Sequence, residues 1–438
     1  MHFLYLLVLS SCLFVRVGLG QQLPRFAPPQ PVSLGQPNIP SGPLTHPATE
    51  YLQTEEERVR RQHEALIQES DVYIEQQRRH QQTQQELYQN IENSFPEWKQ
   101  QQRIAYAKSL YEQAYQKLVA MLDGSAPVSV KEAVYLVENT FVEQSLRAKD
   151  FHEPINYLLE RCKACIRQSG DTLSSVTRYQ ALYQVLCDTT LVRDANGQII
   201  RKILPLTYDF EDYLGQNDHR QMFVSKLLAT TRGNCHSMPL LYKILADELG
   251  IPAHISFAPN HSFIRHRDSK GRWYNLEMTQ GKYLSNNLFL TTGYIKAPAL
   301  KSKIYLDALS DQQTVAQCLT DLAHGYHFKF GTDEFIERCA QTALQYFPHN
   351  LSALMTLFNA RQARLTHRCA DSVVNSMEEL RKHDQLFNLY QQQEATIARI
   401  EALGHVPMPQ TEYEKWLLSL NSEKQRRASQ VIRNQLNE

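Results

Sequence analysis

The chain has 438 residues with 46 basic and 46 acidic side chains, a formal net charge of zero that provides no field to hold nucleic acid or an anionic membrane. A hydrophobic share of 42% is enough for packed cores over the roughly three domains such a length implies, which excludes a wholly disordered protein. Only 16 glycines and 19 prolines leave long stretches without breakers, so most of the chain is expected to be helical.

Residues 1–20 have the form of an export signal: an apolar run from Phe3, then Gly18-Leu19-Gly20 as a small-x-small cleavage site. Leu9-Ser10-Ser11-Cys12 has lipoprotein-box form and would make Cys12 a lipid anchor, but the residues after it are apolar where a tether should be polar. Residues 21–50 are proline-rich and read as an extended linker. Residues 51–103 are rich in Gln and Glu and read as a long solvated helix. Leu52, Val59, Leu66, Tyr73 and Leu87 recur at multiples of seven, but polar Gln62, Glu69 and Gln76 deny them a coiled-coil seam.

A helical lobe is expected over 104–200. Ile104, Ala107, Leu110, Tyr111, Ala114, Leu118 and Met121 form a stripe ending before Gly124. Ser129-Val130-Lys131-Glu132 has capping-box form and opens a helix to about Arg147. Two more helices follow over Glu153–Gln168 and Ser175–Thr189, then a turn at Asp194–Gly197. Seven cysteines remain once Cys12 is removed, so an exported chain would keep at least one unpaired thiol. Cys162-x-x-Cys165 lacks a second pair at zinc spacing and reads as buried or disulfide-linked.

The chemistry concentrates in residues 201–308. In the run GNCHSMPLLYKILADELG (233–250), Met238, Leu241, Ile244, Leu245 and Leu249 keep helical spacing, with Asn234 as N-cap. Cys235 then opens the helix, where free backbone amides and the helix dipole favour a thiolate and could bind an oxyanion. Strands are expected over Ile251–Pro259, His261–Arg267 and Arg272–Thr279. With a five-residue loop at Arg267–Gly271, His261 lies opposite Glu277 and Phe263 opposite Asn275; a four-residue loop would put Met278 opposite His261 instead. A cysteine at a helix start, a histidine opening the next hairpin and a carboxylate on its partner strand are the parts of a nucleophilic acyl-transfer site.

At these residues the chain resembles the transglutaminase-like superfamily of papain-type cysteine enzymes. The resemblance covers about 222–281 and rests on Gly233-Asn234-Cys235, on Pro259-Asn260-His261 before Ser262–Ile264, and on Trp273-x-x-x-Glu277-x-Thr279. It implies an α+β fold: a predominantly helical chain with a central transglutaminase-like domain in which the cysteine helix packs on an antiparallel sheet. It also implies Cys235 as nucleophile, His261 as acid/base and Glu277 as the residue that orients it, with Asn275 as the alternative third member. Gln216 and Asn217 are the upstream side chains considered for an oxyanion site, and His236 stands where the family has an aromatic. Residues 309–438 are helical again. Ala343, Pro348, Leu354 and Leu357 make Cys339–Leu365 similar to the junction of two tetratricopeptide units, and further helices are expected over Asp371–Leu403 and Thr411–Leu420.

The function expected from these features is an exported cysteine enzyme acting on amide bonds of a protein or peptide substrate through a thioester. Transfer to water would make it a peptidase or amidase, and transfer to an amine a transamidase. The alternative is a non-catalytic binding protein that holds a protein partner with its helical regions. No cofactor is invoked, and a metal site from Cys235, His236 and His261 is set aside because adjacent side chains at a helix start diverge. Asn260-His261-Ser262 is a glycosylation sequon whose glycan would block the site, so the expected location is the periplasm or surface of a bacterium. After the signal, no segment is apolar for long enough to span a membrane.

Overall fold

The computed structural model describes residues 97–193, 198–268, 270–374 and 376–407, together with positions 411, 422, 425 and 426. The export signal, the proline-rich linker, the 51–103 helix up to residue 96, the Asp194–Gly197 turn and nearly all of the 411–420 helix lie outside the described residues. The chain divides into Met1–Ala105, described only where a helix begins at Glu97, and Tyr106–Glu438. That protein is predominantly helical with a small antiparallel sheet.

Four helices come first: α1 (Glu97–Leu122), α2 (Val130–Phe141), α3 (Ala148–Gln168) and α4 (Ser175–Cys187). The α1 stripe buries Leu110, Tyr111, Ala114 and Leu118, while Ile104 stays 40% exposed. Ser129 caps α2 by accepting the Glu132 N–H at 3.3 Å. That helix stops at Phe141, six residues short of the expected end. Glu143 and Gln144 both take left-handed φ (53° and 63°), and Leu146 N–H donates to the Asn139 side chain. Strands β1 (Thr190–Arg193) and β2 (Ile199–Ile203) form an antiparallel pair that no alternation in the sequence announces.

The central part holds β3 (Thr207–Tyr208), a 3-10 turn at His219–Met222, α5 (Val224–Thr230), β4 (Arg232–Gly233) and α6 (Ser237–Glu248). A four-stranded antiparallel sheet follows, in the order β5 (His254–Ala258), β6 (His261–Arg267), β7 (Trp273–Glu277), β8 (Lys282–Leu284). Helix α6 is buried from Ser237 to Ala246, and Met238, Leu241, Ile244 and Leu245 share a core with Ile255, Ile264 and Leu276 of the sheet. Each such side chain contributes roughly 1.5–3 kcal/mol through burial. A second core around Phe263, stacked on Phe289 at 4.1 Å, joins β6 to α7 (Asn286–Thr292) and α8 (Ala297–Lys301). The outer edge of β5 is covered by the chain itself: Leu306 N–H donates to Phe257 O and Leu309 N–H to Ile255 O.

Helices α9 (Asp311–Phe330), α10 (Glu334–Tyr346), α11 (Leu351–Asp371), α12 (Met377–Leu380) and α13 (Asp384–Ala402) complete the described protein. The single helix expected over 371–403 is two, because Ser376 caps a new turn by accepting the Glu379 N–H. One apolar core runs from Tyr111 through α6 and the sheet to α9, α10, α11 and Ile400. No helix among the described residues is long and apolar enough to cross a membrane.

Candidate active site

Gly233 ends β4 where no larger residue fits: a Cβ there would lie 2.8 Å from Ser237 Oγ and 2.9 Å from Leu227 and Met238. Asn234 then caps α6. Its Oδ1 accepts the His236 and Ser237 N–H groups, both at 3.0 Å, and its carbonyl accepts the Met238 N–H at 3.1 Å. Regular helix begins at Ser237, so Cys235 sits in the turn two residues ahead of it, partly accessible, and not at the first helical position. Pro239 completes the arrangement. Having no N–H, it leaves the Cys235 carbonyl without its helical donor, and Ser262 Oγ of β6 donates to that carbonyl instead. The Cys235 N–H enters no hydrogen bond among the described residues.

His261 follows the two-residue turn Pro259-Asn260, where Asn260 takes φ 54°, a conformation asparagine tolerates better than most residues. The β6–β7 register differs from the expected one. Ile264 pairs with Leu276 and Arg267 with Trp273, so the loop is Asp268–Arg272 and every pairing moves by two residues. Because side chains alternate with period two, the shift keeps His261 and Glu277 on one face but makes them diagonal neighbours. A diagonal spans roughly 7–8 Å, which suits the longer glutamate. Glu277 Oε2 is hydrogen-bonded to His261 Nε2, and its Oε1 accepts the Thr279 N–H (2.9 Å) and hydroxyl (2.6 Å). With Nε2 given to Glu277, Nδ1 is the ring nitrogen left for the Cys235 thiol.

The electrostatics follow from this packing. Burial pulls the His261 imidazole down, but the Glu277 carboxylate and the Cys235 side chain outweigh it and hold it well above the ordinary histidine range. Burial works against the Glu277 charge as well, yet His261 and Thr279 keep it below the usual carboxylate value. Asn275 is committed elsewhere: its Nδ2 donates to Leu284 O (3.1 Å) and Asn286 Oδ1 (2.7 Å). Gln216 and Asn217 are exposed, and their backbone N–H groups donate to the Asp212 carboxylate.

Two residues around the cysteine turn carry no signal in the sequence. Tyr208 pairs with Gly233 across β3 and β4; burial, then the charges of Cys235 and other neighbours including Glu277, raise its hydroxyl far above the ordinary tyrosine value. Asp321 on α9 contacts His236 across 85 residues of sequence, a separation no local pattern announces. Cys162 and Cys165 lie on α3 as free thiols, with burial pushing Cys162 up to about 12. Among the described residues no three His, Cys, Asp or Glu side chains are grouped to hold a metal.

No family model matches the chain, and no curated protein does. Among solved structures it matches a crystal structure of menin whose title reports "the binding site for Mixed Lineage Leukemia (MLL) protein". The identity is 12% and the TM-score 0.30, over 72% of this chain and 87% of that one. These findings correct both resemblances drawn from the sequence. With no family model matching the chain, the transglutaminase-like assignment of 222–281 and the tetratricopeptide-like reading of 339–365 do not stand. A TM-score of 0.30 assigns the chain neither menin's fold nor its partner.

Proposed function

We propose that the protein is an exported cysteine enzyme that cleaves or transfers amide-linked acyl groups through a thioester on Cys235. The observation that carries this reading is the His261 imidazole, locked to Glu277 through Nε2 and adjoining Cys235 at a capped helix start. In the proposed cycle Cys235 Sγ attacks the amide carbonyl while His261, charged beside the thiolate, gives its proton to the leaving amine. Water or a second amine then attacks the thioester, and His261 takes the incoming proton. The Cys235 N–H at the base of α6 is the donor proposed for the oxyanion. Glu277 holds the ring angle and supports its positive charge. Export is the part of the proposal that rests on residues 1–20.

Iodoacetamide labelling of the purified full chain, followed by mass spectrometry from pH 4 to 9, tests the pair. Labelling at Cys235 should outpace the other thiols at pH 6 and fall by about a hundredfold or more in His261→Ala, the scale of a general-base contribution. Slow labelling that is indifferent to His261 would overturn the enzyme reading. A second reading, a binding protein, is favoured by one feature: a groove of about 420 Å³ on α10, α11 and α13, lined by Glu334, Glu337, Arg338 and Arg364. That mixture of charges suits a polar polypeptide segment.

A further inference from the structure

Immediately after the nucleophile, His236 makes contacts that the proposed cycle does not use. Its Nδ1 lies 3.0 Å from the Met222 carbonyl and its Nε2 3.3 Å from Asp321 Oδ2. A carbonyl and an ionised carboxylate only accept, and a histidine ring donates to both at once only as an imidazolium. Asp321 is itself held: its Oδ1 accepts from Gln317 Nε2 (3.0 Å), and Gln317 Oε1 accepts from Asn350 Nδ2 (3.0 Å). Asn350 in turn caps α11 through the Ala353 N–H. A line of hydrogen bonds therefore runs from the start of α11, across α9, to the turn that carries Cys235.

We propose that His236, clamped between Met222 and Asp321, is a positioning residue that fixes the Cys235 turn and sets a second positive charge beside the nucleophile. The inference rests on the cysteine-enzyme reading above. Other titratable groups around the ring do not substitute for Asp321. From α9 come Cys318 and His324, and from the 3-10 turn comes His219; burial pushes the thiol up and both histidines down, each away from its charged form. From α2 comes Glu138, whose carboxylate accepts the Val224 and Ser225 N–H groups and is pushed up to about 7 by burial. Asp321 alone touches the ring with a carboxylate. Against the pull of burial, Asp321 first, then the Met222 carbonyl and the Cys235 side chain, raise His236 to about 9.

Asp321→Asn separates charge from shape. An amide can donate to Nε2 of a neutral ring whose Nδ1 still serves Met222, so the clamp survives while the imidazolium is lost. The pH profile of iodoacetamide labelling at Cys235 should then move up by about one unit, a tenfold loss of rate on its acid limb, while Asp321→Glu recovers the wild-type profile. In the wild-type chain, the ¹⁵N histidine signal that disappears in His236→Gln should report a doubly protonated ring at pH 7. An unchanged profile in Asp321→Asn with labelling still dependent on His261, or a neutral His236 at pH 7, overturns this inference and leaves the enzyme reading standing. Labelling indifferent to His261 overturns both.

Discussion

At the scale of single residues, the informative pair is His261 with Glu277, because each holds the other's charge against burial. His261 binds its proton more tightly when folded, so its contribution to stability is complete below about pH 6.5 and is lost as pH rises through the raised folded value. Glu277 is depressed, so its contribution is present above about pH 4.3 and is lost as pH falls through the folded value. Glu277→Gln should therefore cost most near pH 5 to 6.5, about 3 kcal/mol by analogy with other broken buried pairs, and progressively less in alkali. Urea unfolding of wild type and variant at pH 6 and pH 10 measures this, and an equal difference at both would contradict it. A cap, a Pro-Asn turn and strand alternation are local signals that brought Cys235, His261 and Glu277 forward in the sequence, alongside the family resemblance that did not stand. The register came out two residues off because the loop was placed one residue early. Parity absorbed the error, since a shift of two returns each side chain to its own face.

Among the elements, α6 shows how a helix start is built to present a side chain. Gly233 allows the close approach, Asn234 caps, and Pro239 frees a carbonyl for Ser262. Asn234→Ala removes acceptors for two backbone N–H groups at once and should cost about 1–2 kcal/mol in thermal or urea unfolding. It should also slow Cys235 labelling, which Asn234→Asp would restore. Elements without a local signal were missed or mis-ended. The end of α2 depends on Glu143 and Gln144 adopting left-handed φ, a conformation normally read from glycine. The β1–β2 pair joins Ile199-Ile200 to a short apolar stretch with no alternation to reveal a strand. Asp321 has no pattern at all, because its role is created when α9 packs against the cysteine turn.

For the whole molecule, one apolar core spans the N-terminal helices, α6, the sheet and the C-terminal helices. Leu319 on α9 is fully buried in it, so Leu319→Ala should cost about 2–5 kcal/mol. Because that core is shared, loss of helical circular dichroism and loss of His261-dependent Cys235 labelling should coincide along a urea titration. Two separate transitions would show that the site belongs to an independently folding part. The borders of the sheet have a consequence for behaviour in crowded solution. An open strand edge is a template on which another chain can add, and from such edges fibres grow. Here one border is sealed by the backbone of Leu306 and Leu309, and the other is a three-residue strand carrying the exposed Lys282. The four-stranded sheet thus offers almost no template for another chain, and growth on it would have to begin from a molecule in which the sheet had already opened.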